Sequence, residues 1–515
     1  MKCRGGRIKL GNKVSVILIG SNIFDEVLLE KVWSIKPFEI IIVLSNEDNS
    51  KFISTVKSKS CQIVISDGIQ DNNGYVSALN KANGDIILFL DSRLSSITSE
   101  EIKKFLEPLT NQQADVVLNN LIPNFIKTRS KQWPDPIRLC KEVYNDSLGQ
   151  KSLYIDTLLS FPHAYNQQVK NQLGIDCFVN LAVAHMRILE HGFKIARPVS
   201  INISSLERLY TPEQAHFSVP LTELEQKEIK LFLEGWDNWF RIHGNRGNYH
   251  DSGRRRDIVI DIKKNNNLSH YAKIYEGTGR TSSLYKGKQL SIIIPVQNEE
   301  ATIAAVLSQA RYAEPLEIIV VVNGSTDKTE EIARSYGTTV IVFKEALGID
   351  VGRAIGASIA KGDILLFIDA DFPISSYDLK QYALAVSSGV DIALNNLNIE
   401  HFPLYVVNLY KYLLNILCNR KDLGVGSVVA IPHAISKSCL NGIGWHTLMN
   451  PNIAHVKAIL QGYTISNVHF VDVMSPNKIR PDQHFSSSGH PKAVLRINGD
   501  HLEAIAYLLD KSRKN

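Results

Sequence analysis

Residues 362–372 read GDILLFIDADF, and residues 84–94 read GDIILFLDSRL. Each is a short, almost wholly apolar run, the pattern of a strand buried on both faces. Each run contains an aspartate, Asp369 and Asp91. Only the later copy adds a second carboxylate two positions on, Asp371, where the earlier copy has Arg93. A duplicated α/β domain is the expectation, with its chemistry divided unequally between the copies.

The correspondence extends in both directions. Apolar strands are expected at residues 14–19 and 40–44 of the first half, and at 290–295 and 318–322 of the second. Asn73-Gly74-Tyr75 and Val351-Gly352-Arg353 each open an alanine-containing helix. Gly74 and Gly352 stand 278 positions apart (352 − 74), as do Asp91 and Asp369 (369 − 91). Further on, DVVLNN at 115–120 answers DIALNN at 391–396, and FPHA at 161–164 answers IPHA at 431–434. Late in each half, TPEQAHF at 211–217 answers RPDQHF at 480–485. So many ordered matches with small gaps require a duplication. A chain of 515 residues also exceeds the ~250–300 residues at which single cores stop growing. The expected division is a first domain over 1–250, a linker over 251–288 and a second domain over 289–515. Alternating strands and helices make each domain a mostly parallel sheet flanked by helices, with ligands collecting at the carboxyl ends of the strands. The loops that follow Val322 and Ile368 should then lie side by side at one edge.

Composition excludes several classes. Apolar residues make up 44% and charged residues 21%, with a net charge of +5, ordinary for a globular protein. No long basic face interleaved with aromatics indicates nucleic acid. The run Arg254 to Arg256 reads as a solvated linker segment. Six cysteines without a C-x-x-C pair argue against a zinc or redox site and for reduced thiols in the cytoplasm. No apolar run reaches the ~18 residues of a membrane span. Residues 402–418 carry Asn408, Lys411 and Asn415 and read as an amphipathic helix packed on its own domain, with a peripheral membrane contact as the alternative.

In the second half the chemistry-bearing residues fall in loops. Asn298 can cap a helix with Glu299 and Glu300 in its first turn, or the loop from Pro295 can border a nucleotide base. In Asn323-Gly324-Ser325-Thr326-Asp327, Ser325 or Thr326 can cap the next helix, or the loop can hold a ligand. Gly352 allows close approach of a ligand or of the sheet, and Arg353 can pair with a diphosphate or face solvent. Asp369 and Asp371 can converge on one hard cation, Mg²⁺ or Mn²⁺, whose shell phosphate oxygens complete. His484 is a further candidate ligand.

Together, residues 295–300, 323–329 and 362–371 resemble a family 2-type glycosyltransferase of the GT-A fold, and the tail, with Gly499-Asp500-His501, is similar to relatives of glucosyl-3-phosphoglycerate synthase. The resemblance implies a nucleoside-diphosphate-sugar donor, an unidentified hydroxyl acceptor and a divalent metal. It implies that Glu299 and Asp327 line the nucleoside pocket, that Asp369 contacts ribose or metal-bound water, and that Asp371 and His484 hold the metal. Two positions depart from the family pattern. Asn323 replaces an aspartate, and Asn450-Pro451 stands where a Glu-Asp pair supplies the base. His446 and His455 are nearby substitutes for that base, and the stereochemical outcome stays open. The first half resembles the same domain with its chemistry thinned, because Arg93 would repel a cation. Its counterpart of the Asn323 loop is Ser45-Asn46-Glu47-Asp48-Asn49. An inert binding or scaffold protein of two decayed copies is the rival reading. A nucleotidyltransferase lacks its glycine- and arginine-rich first loop here, and Gly424-Val425-Gly426 lacks the third glycine of a dinucleotide site.

Overall fold

The computed structural model describes residues 12–20, 26–45, 61–66, 73–123, 135–203, 206, 220–397, 406–476, 481–487 and 489–513. The chain divides into two compact units, Met1–His216 with Leu221–Trp239, and Phe217–Pro220 with Phe240–Asn515. Among the described residues no helix is long and apolar enough to cross a membrane.

The first unit has strands β1 (Val14–Ile19), β2 (Glu39–Ser45), β3 (Gln62–Ser66), β4 (Ile86–Asp91), β5 (Val116–Leu118), β6 (His163–Asn166) and β7 (Ile195–Ala196). Among the described residues their order across the sheet is β3-β2-β1-β4-β6-β5-β7. Only β6 runs antiparallel to its neighbours. The second unit has β8 (Lys273–Tyr275), β9 (Leu290–Val296), β10 (Glu317–Asn323), β11 (Thr339–Phe343), β12 (Ile364–Phe367), β13 (Ile392–Asn395), β14 (His433–Ser436) and β15 (Ile465–His469). Their order is β8-β11-β10-β9-β12-β14-β13-β15. Apart from the antiparallel edge strand β8, this is the first sheet repeated strand for strand. The α/β class and the two mostly parallel sheets are as expected from the sequence.

The strands are continuous apolar runs because both faces of each sheet are covered. Ile292 and Ile294 of β9 pack on one side, with Leu307 and Tyr382, while Ile293 packs on the other, with Ile355 and Phe367. Each such buried side chain contributes roughly 1.5–3 kcal/mol. A polar clamp recurs at the start of the repeated run. Ser15 Oγ donates to Glu39 Oε1 at 2.6 Å and accepts from Gly84 N at 2.8 Å. Ser291 Oγ donates to Glu317 Oε1 at 2.7 Å and accepts from Gly362 N at 2.9 Å. A Cβ on Gly84 or Gly362 would lie 2.6 or 2.7 Å from the serine nitrogen, so both runs must open with glycine.

The segment read as a linker is ordered within the second unit. It carries the helices Arg256–Asn265 and Leu268–Tyr271 and ends in β8 and the strand-free stretch before β9. Its arginines are not solvated as a group. The Arg254 side chain is 0% exposed and bonds both carboxylate oxygens of Asp500, at 2.6 and 2.7 Å, and Asp350 at 2.9 Å. Arg256 bridges Asp251 and Glu503, and Arg246 joins Asp500 to Glu503. Only Arg255 fits the expectation, pairing with the exposed Asp257. The reversal follows from distant carboxylates: Asp500 lies 246 positions from Arg254. Removing one partner of such a pair leaves buried charge uncompensated. Arg254→Ala should therefore lower the stability of the second unit by about 3–5 kcal/mol, read as a shifted urea midpoint; a change within error would remove the network from any structural role.

Candidate functional site

In the second unit a cavity of about 760 Å³ opens at the carboxyl ends of β9, β10 and β12. The loops after β10 and β12 flank the loop after β9, so the expected edge is formed with that third loop between them. Pro295, Glu299 and Asn323 line it from the first two loops, Gly352 and Arg353 from the helix Val351–Ile359, and Asp369 and Asp371 from the end of the repeated run. His484 lines it from the short helix Pro481–His484. Asn298, Ser325 and Asp327 are not part of the lining.

Those three residues fasten the first two loops together. Asn298, at φ 53°, accepts from Thr326 N at 2.8 Å, and its own N–H donates to Ser325 Oγ at 3.0 Å. Asp327 accepts from Glu300 N and Thr329 N, both at 3.0 Å, and Glu300 accepts from Lys328 N. The expected caps are thereby corrected. The helix Ile303–Tyr312 begins after Thr302 with no side-chain cap, because Asn298 is spent across the loop. The helix Thr329–Ser335 is preceded by Lys328, and Asp327 rather than Ser325 or Thr326 holds its first N–H.

Asn323 uses both ends of its amide. Oδ1 accepts from Leu347 N at 2.5 Å and Nδ2 donates to Gly348 O at 3.2 Å. An aspartate cannot make the second bond. A Cβ added to Gly348, at φ 88°, would lie 2.8 Å from Arg254 Cα, so this loop has no room to drift. The loop geometry therefore suits an asparagine here rather than an aspartate.

Asp369-Ala370-Asp371 lies just beyond β12. Ala370 is buried and its carbonyl accepts from Thr302 Oγ1 at 2.7 Å. Arg353 is neither solvent-facing nor uncommitted: it is buried, donating to Asp350 Oδ1 at 2.6 Å and Asp369 Oδ1 at 2.8 Å. Burial alone would lower its pKa, and the carboxylates of Asp369 and Asp350 more than reverse this, so it is charged. Gly352 and Gly356 serve packing, since a Cβ would lie 2.9 Å from Pro295 Cβ and 2.5 Å from Ile293 Cγ2. Among the described residues no three His, Cys, Asp or Glu side chains form a group able to hold a metal.

The first unit fills the matching positions differently. Arg93 folds back on Asp91 with Nε at 2.9 Å and Nη2 at 2.8 Å. A tethered cation thus satisfies the lone carboxylate. Tyr75 stands where Arg353 stands, stacked on Phe89 and bonded to Tyr165 at 2.9 Å. Of the loop beginning at Ser45, residues 46–49 lie outside the described residues, as do His216 and Arg480.

The substitutes for the base lie elsewhere. His455 is fully buried and donates to Asn415 Oδ1 at 2.8 Å, and burial pushes its pKa down to about 3. His446 bonds Lys263. Asn450 caps the helix Pro451–Leu460 and bonds Glu503 at 3.0 Å. Sequence reasoning missed Lys411 and Arg496 as cavity-lining residues. The helix Val406–Leu417 turns Asn408 and Lys411 to the cavity and buries Asn415, so its polar face points inward. Burial lowers the Lys411 pKa to about 8.

Two measurements follow from this geometry. Asn323→Asp should cost roughly 1–3 kcal/mol in chemical denaturation, and an unchanged midpoint would show that the Gly348 bond holds nothing. Between pH 8 and the ordinary lysine value of 10.5 the unfolded chain holds the Lys411 proton more tightly than the folded chain. Unfolding free energy should therefore rise across that window relative to Lys411→Met and run parallel to it below pH 8. Parallel curves throughout would refute the buried charge.

Residues 291–397 match the family model described as Glycosyl transferase family 2. The 4,4'-diaponeurosporenoate glycosyltransferase of Staphylococcus aureus strain bovine RF122 / ET3-1 is 36% identical over 117 residues, 21% of this chain and 31% of the relative. The same enzyme of strain USA300 is 35% identical over 117 residues, with the same 21% and 31% covered. The chain thus spans about a third of the length of these curated relatives. Among solved structures it is similar to Mycobacterium tuberculosis glucosyl-3-phosphoglycerate synthase, with 24% identity and a TM-score of 0.30 over 39% of this chain and 79% of that one. A second structure of that synthase, in complex with Mn²⁺, uridine diphosphate and glucosyl-3-phosphoglycerate, gives 22%, 0.31, 40% and 79%. The stretch that matches the family model lies within the second unit and holds β9 through β13 with the Asp-x-Asp end.

Proposed function

We propose that the second unit is a metal-dependent glycosyltransferase that moves a sugar from a nucleoside diphosphate to a hydroxyl acceptor. The observation that carries this reading is the Asp369–Asp371 end of the repeated run, within the stretch that matches the family 2 model, lining a cavity of about 760 Å³. In the reaction the acceptor oxygen bonds the anomeric carbon as the bond from that carbon to the diphosphate breaks. The acceptor proton is lost and the nucleoside diphosphate leaves.

Asp369 and Asp371 offer hard carboxylate oxygens, the donors that Mg²⁺ and Mn²⁺ prefer. Two carboxylates suffice where phosphate oxygens complete the shell, and His484 lines the same cavity. A cation held there supplies charge to offset that building on the leaving diphosphate. Arg353 fixes the Asp369 carboxylate and adds a second positive charge beside it. Pro295, Glu299, Asn323 and Gly352 then border the nucleoside. Asn298, Ser325 and Asp327 act by holding the two loops in register. The first unit is read as a degenerate copy whose Asp91 is already neutralised by Arg93.

Donor hydrolysis measured across uridine- and guanosine-diphosphate sugars, with Mn²⁺, Mg²⁺ or EDTA, tests the proposal. Asp371→Ala should lower metal-dependent turnover by about a hundredfold or more, while Asp91→Ala leaves it within about twofold. Turnover that ignores EDTA and Asp371→Ala would overturn the assignment. Absence of turnover with every donor would favour an inert binding protein.

A further inference from the structure

The proposed transfer frees a proton from the acceptor hydroxyl, and a group in the cavity must take it. Asn450 stands where a carboxylate base is expected, and it is spent on a helix cap and on Glu503. Asp350 and Asp500 line the cavity, but Asp350 is bonded to Arg254 and Arg353, and Asp500 to Arg254 and Arg246. Burial would raise the Asp500 pKa, and its two arginines more than reverse this, which makes it a poor base. In the transferase reading, on which this inference rests, Asp369, Asp371 and His484 serve the metal and Glu299 the nucleoside. Arginine does not give up its proton. Lys411 remains: it is buried, lines the cavity, and makes no hydrogen bond or ion pair among the described residues.

The first copy shows what the second has lost. Lys141 and Lys411 stand 270 positions apart (411 − 141), as do Asn145 and Asn415 (415 − 145). Each asparagine accepts from a buried histidine at 2.8 Å and donates to two backbone carbonyls at its own helix end. Lys141 donates to Ser160 Oγ at 2.8 Å and lies in the field of Asp135 and Asp156. Those carboxylates hold it as an ammonium. The matching residues in the second copy are Tyr405, Gly426 and Ala430.

The covering helix has changed too. Asn180 Nδ2 donates to Leu231 O at 3.2 Å and Glu234 Oε2 at 2.7 Å, and Asn450 Nδ2 donates to Asp500 O at 3.4 Å and Glu503 Oε2 at 3.0 Å. Leu231 thus matches Asp500, and Phe232 matches His501 (501 − 232 = 269). His501, on the helix Lys492–Ser512, is fully buried and lies in the field of both Lys411 and Asp500. Asp500 is tied through Arg254, Asp350 and Arg353 to Asp369. Burial pushes the His501 pKa down to about 4 and that of His455 to about 3, so both are neutral around the lysine. The turn Lys421–Leu423, also packed on the lysine's helix, brings Lys421 and Asp422, and Asp422 is paired with Arg420.

We infer that Lys411 is the general base of the transfer, taking the acceptor's hydroxyl proton onto its Nζ lone pair. The acceptor oxygen bonds the anomeric carbon. The bond from that carbon to the diphosphate breaks, and its electron pair leaves with the nucleoside diphosphate. Nζ becomes an ammonium and returns the proton to solvent through the cavity. An amine held by two carboxylates, like Lys141, could not do this. Without them burial brings Lys411 to a pKa of about 8, and a base works best near the operating pH.

The test is the pH dependence of donor hydrolysis by the full chain, with Mg²⁺, uridine- or guanosine-diphosphate sugars, and water in place of the acceptor. Wild-type kcat should rise with pH and level off, with its midpoint at about 8. Lys411→Met should lower the plateau about a hundredfold or more and abolish the rise, while Lys141→Met changes neither. Lys411→Arg keeps the charge but frees no lone pair, so it should be as slow as Lys411→Met. Lys411→Met replaces an uncompensated buried charge with an apolar chain of similar length and should melt no lower than wild type, which separates lost catalysis from lost folding. A rise that survives in Lys411→Met, or a Lys411→Arg enzyme as fast as wild type, overturns the base and leaves the transferase reading standing. Absence of wild-type turnover with every donor overturns the transferase reading and the base with it.

Discussion

The Arg353 guanidinium, buried between Asp350 and Asp369, is the interaction on which the second unit's site depends. It carries fixed charge from the helix Val351–Ile359 to the end of the repeated run. Asp350 in turn receives Arg254, and Arg254 holds Asp500 of the C-terminal helix. One chain of alternating charges therefore joins the Asp-x-Asp end, the start of a cavity-lining helix, the segment before β8 and the last helix. Such buried pairs contribute little net stability when intact, yet leave an uncompensated charge when one member is removed. Their consequence here is geometric: Asp369 is aimed before any ligand arrives.

The duplicated scaffold makes the division of chemistry readable. Both copies keep the serine–glutamate–glycine clamp, the asparagine–histidine pair and the strand order. Those elements hold the sheet and its covering helices whatever the site does. The differences cluster around the cavity of the second copy. Tyr75 replaces Arg353, and Arg93 replaces Asp371 and folds onto Asp91. Asp135, Asp156 and Ser160 surround Lys141 but have no counterparts around Lys411. In the first copy every one of these charges is answered internally. In the second, Lys411 lines the cavity with no hydrogen bond or ion pair among the described residues.

Much of this was legible in the sequence because it is local. Apolar runs such as IILFLD and EIIVVVN mark buried strands by composition alone, and the glycine opening each repeated run marks a close approach. The Asp-x-Asp end was legible from its place after such a run. What escaped depends on partners far along the chain. The arginines at 254 and 256 look solvated until Asp500 and Glu503 arrive from about 250 residues away. Asn298 looks like a helix cap until Thr326 takes its oxygen. The polar stripe of Asn408, Lys411 and Asn415 resembles a solvent face, because periodicity reports that a helix has two faces and not which one meets the cavity.

The central claim is that two copies of one fold carry a single metal-dependent donor site. Counting bound Mn²⁺ per chain by electron paramagnetic resonance, with saturating uridine or guanosine diphosphate, tests it most directly. The expected result is about one nucleotide-dependent Mn²⁺ per chain, lost in Asp371→Ala and retained in Asp91→Ala. About two per chain, or one that disappears with Asp91 and survives without Asp371, would contradict it.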